Sequence, residues 1–151
     1  MIDIFVDKLS KHYGLVIPPL DSNNGFVIRL DNSVEVYISQ QNEDGCKVHF
    51  SSVLAELLDL TTTEEFYSKL LQAQYLGRET NGYFFGLNAD ADAVMLSHSI
   101  SLTYENHESF LEQLISFSKV VAQWQQNIKE FSMNSVANRM PTLTSNAMQF
   151  A

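Results

Sequence analysis

"FFGLNADADAVML", residues 84 to 96, sets Asn88, Asp90 and Asp92 on alternate positions between two apolar runs. The stretch is either a calcium loop or the turn of a hairpin, and the two readings lead to different folds. A calcium loop needs oxygen ligands at its positions 1, 3 and 5, a Gly at 6 for the bend and a bidentate Glu at 12. Counted from Asn88, the sixth position is Ala93 and the twelfth is Ser99; counted from Asp90, the fifth is Val94. Neither frame closes around a cation, so the stretch reads as a polar connection. Its flanks, "NGYFFGLN" and "AVMLSHSIS", then read as two strands.

The segments on either side of this pair read as helices. Upstream, "TTTEEF" sets Thr62 and Glu65 at capping-box spacing. The helix it opens carries Phe66, Tyr67, Leu70, Leu71 and Ala73 and is expected to end near Gly77. Downstream, a helix is expected from Asn106 to about Phe131. Its apolar positions Phe110, Leu114, Phe117, Val121, Trp124, Ile128 and Phe131 step by four and three without a break. A single stripe of this length reads as the core face of a helix lying on a sheet rather than as a coiled coil.

Closer to the N-terminus, period two replaces the helical period. Phe26, Ile28 and Leu30, then Val34, Val36 and Ile38, then Cys46, Val48 and Phe50 each fall on one side of a strand. The links "DNS" and "QNEDG" are turn chemistry and too short to cross over, which predicts a three-stranded antiparallel meander. Alternation defines a second face, with Val27, Arg29, Tyr37 and His49, without saying which face is covered. Before the meander, Ile2, Phe5, Val6, Leu9 and Tyr13 form a helical stripe that Gly14 ends. The expected order is helix, three strands, helix, two strands, long helix: an α+β domain over residues 1–131. The remaining residues, 132–151, have no period, contain Pro141 and are expected to be an irregular tail, with Met140, Leu143, Met148 and Phe150 as its apolar side chains.

Bulk properties narrow the partners. A chain of 151 residues suffices for one hydrophobic core without staples. A net charge of -9 and a pI near 4.7 argue against nucleic acid or an anionic membrane as partner. The lone Cys46 makes no internal disulfide, no apolar run reaches membrane-span length, and "MIDIFVDKLSKHYG" lacks the form of a signal peptide. A reducing cytoplasm is the compartment these features fit.

Catalytic patterns are missing from the sequence. It has no phosphate loop, no G-x-S-x-G and no H-E-x-x-H. Cys46 and His49 stand three apart on one strand, hence on opposite faces. His12, His98 and His107 have no metal-ligand spacing, and Glu43 with Asp44 and Glu64 with Glu65 read as turn and helix-start acids. No metal and no cofactor are expected.

From Leu70 to Ile128 the chain resembles the second half of the class I type III secretion chaperones of the Tir-chaperone kind. The resemblance rests on "LLQAQ" at a helix end, the strand "GYFFGLN", the strand "AVMLSHSISL", and a long last helix with Trp124 near its end. Gln74 stands where the family usually has Asn, and Asn88 where it often has Asp. The resemblance implies a non-enzymatic, acidic homodimer in the bacterial cytoplasm that binds the N-terminal segment of a secreted effector in extended form before export. The secretion ATPase is a further partner it implies. It implies that the first helix and the meander bind the effector, with Phe5, Leu9, Leu15, Ile17, Phe26, Ile28, Val36 and Ile38 as candidates. The second helix and the neighbouring strand would form the dimer contact, through Phe66, Leu70, Tyr75, Phe84 and Met95. Two other readings compete: a non-enzymatic adaptor or regulatory protein that binds a folded partner, and an enzyme using His49 or the Asp90–Asp92 loop.

Overall fold

The computed structural model describes residues 2–40, 47–59, 64–102 and 107–139. Helix α1 spans Ile2–Tyr13, and Gly14, at φ +62°, takes the left-handed conformation that ends it. Three strands follow, β1 (Gly25–Arg29), β2 (Glu35–Gln40) and β3 (Lys47–Glu56), then helix α2 (Glu64–Gln74), β4 (Phe84–Asn88), β5 (Ala93–Ser101) and helix α3 (His107–Arg139). The α+β order agrees with the sequence reading; Cys46, Thr62 and the turn acids Glu43 and Asp44 lie outside the described residues.

The strands form one antiparallel sheet in the order β1-β2-β3-β5-β4. The meander supplies the first three positions, and the second hairpin joins it through β5, so β4, though earlier in the chain, lies at the far edge. β3 and β5 pair from Lys47↔Ser101 to Glu56↔Ala93, with a bulge between Val53 and Ala55. Alternation then sorts the side chains. Phe26, Ile28, Val36, Ile38, Val48, Phe50, Leu54, Val94, Leu96 and Ile100 are buried on one face. Val27, Arg29, Val53 and Ser99 are exposed on the other, with Tyr37, His49 and Ser51 half-buried among them.

The buried face is covered by α1 and α3, joined through aromatic rings. Phe50 on β3 meets Phe110 at 5.4 Å and Phe117 at 5.7 Å between centroids; Phe5 meets Phe110 at 5.4 Å and Tyr83 meets Phe117 at 5.2 Å. Such tilted and edge-on pairs add to the area buried. Farther along α3, Trp124 takes Phe85 edge-on at 4.8 Å and donates its indole N–H to the Glu79 carbonyl at 3.0 Å, fixing the α2–β4 connection. Phe131 stacks on Phe66 of α2 at 5.9 Å. The stripe from Phe110 to Ile128 is thus buried along its length, on a sheet and not on a second coil.

Two boundaries differ from expectation. α2 stops at Gln74 and gives way to a 3-10 turn, Tyr75–Gly77, in which Leu76 at φ +56° and Gly77 at φ +65° reverse the chain earlier than the apolar pattern suggested. α3 runs to Arg139, past the expected end near Phe131. The segment 132–139 has no apolar stripe to announce a helix, but it contains no Gly or Pro either, so a helix already nucleated propagates until the residues before Pro141.

If the Phe50–Phe110–Phe117 cluster holds the two layers together, Phe117→Ala lowers unfolding stability by about 3 to 5 kcal/mol in urea melts. Met133→Ala, at a position 64% exposed on the same helix, changes it by roughly 0.5 kcal/mol or less. Equal effects would mean that the cluster is not where α3 is held.

Candidate partner-binding surfaces

Burial divides the residues singled out from the sequence. Phe5, Leu9, Phe26, Ile28, Val36 and Ile38 all lie in the core, where α1 and α3 already cover them. Leu15 and Ile17, on the linker between α1 and β1, remain half-exposed. Among the dimer candidates, Phe66 and Leu70 are core and Met95 is half-buried, whereas Tyr75 and Phe84 are 66% and 59% exposed. The sequence did not separate the residues a partner can reach from those that hold the elements in place.

Among the described residues, two open apolar surfaces flank the covered face of the sheet. The first is a groove of about 370 Å³ between the α1–β1 linker, the β1–β2 turn and the first half of α3. Leu15, Leu30, Leu111 and Ile115 supply its apolar lining, with Asp31 and Lys119 among the polar residues. Its shape depends on Asn32. The side-chain amide donates to the Ser118 carbonyl and hydroxyl, both at 3.3 Å, and the side-chain carbonyl accepts the Val34 N–H at 3.2 Å, pinning the turn onto α3. The second surface is formed by α2, the 3-10 turn and β4, where Leu71, Tyr75, Leu76, Phe84 and Leu87 are all exposed. Leu87 shares the helix-side face of β4 with Phe85, while Phe84 lies on the outward face, so the exposed apolar side chains at this edge stand on both sides of the sheet.

Gln74 lies at the seam of the second surface. Its side-chain oxygen accepts the Phe85 N–H at 2.6 Å, tying the end of α2 to β4. Gln74 carries the same amide as Asn on a side chain one methylene longer, and this amide lies against the strand.

At the start of β1, the Asp21 carboxylate accepts the backbone N–H groups of Asn23 (2.8 Å) and Gly25 (2.9 Å) and the Tyr37 hydroxyl (2.8 Å). The Gly25 N–H, then the Tyr37 hydroxyl and the Asn23 N–H, hold this carboxyl below its ordinary pKa. Burial first, and the Asp21 contact second, push the Tyr37 phenol upward. A Cβ at Gly25 would fall 2.2 Å from the Tyr37 hydroxyl oxygen, so a larger residue there must displace the Tyr37 ring from its place beside Asp21.

The opening stretch resolves as a turn. The Asn88 side-chain oxygen accepts the N–H groups of Asp90 (3.1 Å) and Ala91 (3.3 Å), Asp92 has φ +45°, and all five residues from Asn88 to Asp92 are exposed. Among the described residues, no three His, Cys, Asp or Glu side chains are placed to share a metal ion. His49 lies on the outward sheet face, where its Nδ1 is 2.7 Å from the Ser99 hydroxyl across the β3–β5 ladder. Among the described residues no carboxylate forms an ion pair with that imidazole, so the two make a cross-strand polar pair without an orienting acid.

This geometry meets a family pattern over most of the chain. The model of the Tir chaperone protein (CesT) family matches residues 5–125. The chain belongs to that family. The match takes in both apolar surfaces and stops within α3. A curated protein of Chlamydia pneumoniae is 26% identical over 121 residues, covering 79% of this chain and 92% of its own length. Among solved structures, the complex of ExsC with ExsE gives a TM-score of 0.63 at 18% identity, covering 84% of this chain and 92% of the matched chain. The HopA1–SchA chaperone–effector complex gives 0.58 at 14% identity, covering 85% and 93%. An uncharacterized protein from Methanothermobacter thermautotrophicus gives 0.56 at 13% identity, covering 89% and 99%. These likenesses establish the fold; family membership rests on the match over residues 5–125. Among the described residues, no helix is long and apolar enough to cross a membrane.

Sequence reasoning missed Leu30, Leu111, Ile115 and Leu87 as surface candidates. For α3 a signal was present: Leu111 and Ile115 are four apart and sit beside the Phe110–Leu114 stripe, so they form a second apolar strip that one stripe of core does not need.

His98 gives the structure a pH dependence. It lies on the core side of β5, with Tyr83 at 4.7 Å and Phe50 at 6.3 Å, and burial lowers its pKa below 6.5; a Gln113 hydrogen bond opposes that shift and the His49 charge adds to it. A depressed histidine pKa means that the unfolded chain binds the proton more readily. Its contribution is therefore intact above 6.5 and is lost as the pH falls through 6.5 toward the folded value. In urea melts, His98→Gln should show a shallower loss of stability than the wild type as the pH is lowered below 6.5. Identical slopes would remove His98 as the source.

Proposed function

We propose that this protein is a type III secretion chaperone: a homodimer that holds the N-terminal segment of a secreted effector in extended, export-competent form. The observation that carries the reading is the family match over residues 5–125. The open apolar surfaces support it physically. A chaperone for an unfolded segment must offset about 2 to 5 kcal/mol or more of ordering cost. A large apolar side chain that becomes fully buried returns roughly 1.5 to 3 kcal/mol. The Leu15–Leu30–Leu111–Ile115 groove can receive one or two such anchors from an extended chain, beside a sheet edge whose backbone can pair with it. The exposed apolar residues of α2, the 3-10 turn and β4, Tyr75 and Phe84 among them, are assigned to the second copy. On this reading Phe5, Leu9, Phe26, Ile28, Val36 and Ile38 shape the binding elements from beneath, and Leu15 and Ile17 touch the effector.

The test is affinity capture from the cytosol of the source bacterium, with the mass of the eluted complex measured by light scattering. The expected result is a polypeptide exported under secretion conditions, held through its N-terminal segment at one per chaperone dimer. Ile115→Glu should weaken that capture by about tenfold or more without unfolding the chain. Tyr75→Ala combined with Phe84→Ala should shift the mass toward a monomer. A partner that binds equally well without its N-terminal segment would overturn the chaperone reading in favour of an adaptor for folded proteins.

A further inference from the structure

β4 is an edge strand of a type that ordinarily invites another strand. It is five residues long, four of them exposed, it includes Phe84 and Leu87, and it ends the sheet beside β5. An exposed apolar edge templates pairing with any extended chain, which sheet proteins prevent by covering it or breaking its hydrogen-bonding row. Here the row is broken by Gln74. The Phe85 N–H reaches the Gln74 side-chain oxygen at 2.6 Å, so it points away from β5 and toward the open side. A residue in a strand sends its N–H and C=O to the same side, and alternate residues share that side. The outward row of β4 therefore centres on Phe85 and Leu87. Gln74 occupies the donor that an incoming strand would need at Phe85.

We infer that Gln74 is an edge plug: it closes β4 to strand addition at Phe85, so that contacts made at this edge use side chains and do not extend the sheet. The consequence is a division of labour between the two sheet edges. The β4 edge is withheld from an extended chain at Phe85; on the β1 edge Asp21 occupies the N–H and C=O of Gly25, which leaves the outward backbone groups of Val27 and Arg29, beside Leu30 of the groove, to receive one. The inference rests on the chaperone reading for the identity of the extended chain, but not for the state of the β4 edge.

Amide hydrogen exchange and light scattering on the full chain test it without any effector. In the wild type, the Phe85 amide should be protected, and light scattering should give one mass across the concentration range. In Gln74→Ala the Phe85 amide should lose protection by roughly fivefold or more. Species larger than the wild-type assembly should appear as concentration rises. Gln74→Glu, which keeps an acceptor at that position, should restore the wild-type mass. If Gln74→Ala keeps the wild-type mass at every concentration, the plug role is overturned. Strong wild-type protection of the Leu87 amide that disappears on dilution to monomer would also overturn it, since β4 would then already pair with a neighbour; this second readout needs no variant to fold. Effector capture by Gln74→Ala separates the two proposals: capture retained with enlarged assemblies supports both. Capture absent even in the wild type would sink only the chaperone reading.

Discussion

Everything in this fold depends on one face of a five-stranded sheet finding a cover, and α3 is the larger part of that cover. Phe50, near the middle of β3, is the point where strand and helix meet, with Phe110 and Phe117 closing over it from positions about two turns apart. The same helix reaches the far edge of the sheet through Trp124 and α2 through Phe131. Among the described residues no second layer packs on the other face, so one long apolar stripe serves both the meander and the second hairpin. This places the open apolar side chains at the margins of the covered face: beside the first half of α3, where the β1–β2 turn arrives, and along β4, where the helix layer ends.

The sequence was most legible where burial imposes a period. The α3 stripe and the alternation in β1, β2, β3 and β5 lie in the structure on the elements assigned to them, because a one-residue slip would turn every apolar side chain toward water. Legibility failed where burial imposes nothing. The segment 132–139 is helical without an apolar stripe, and α2 ends at Gln74 because the backbone reverses at Leu76 and Gly77, not because the apolar residues stop. The insertion of β5 between β3 and β4 was not readable either, since it is a choice among pairings that local periodicity leaves equal.

The candidate surfaces were half legible for a related reason. Hydrophobicity marks both the residues that bind a partner and those that hold the binding elements, and one sequence does not distinguish them. Phe5 and Ile38 were expected at the effector surface and are core; Leu111 and Ile115 were passed over and are open or half-open. What distinguishes them is a second strip on a helix whose core stripe is already complete, a geometric property that emerges once the helix is laid on the sheet. Gln74 belongs to the same class. As a letter it is a departure from Asn; as a side chain it is a hydrogen bond to Phe85.

The central claim is that an extended effector segment lies along the groove of Leu15, Leu30, Leu111 and Ile115 and the neighbouring sheet edge. The most direct measurement is the hydrogen-exchange footprint of the effector's N-terminal segment, alone and bound to the full-length chain. The account predicts new protection on the chaperone over residues 15–17, 27–30 and 111–119, and on the effector over the N-terminal segment alone. Protection confined to the outward sheet face around His49 and Ser99, or spread across a folded effector domain, would contradict it.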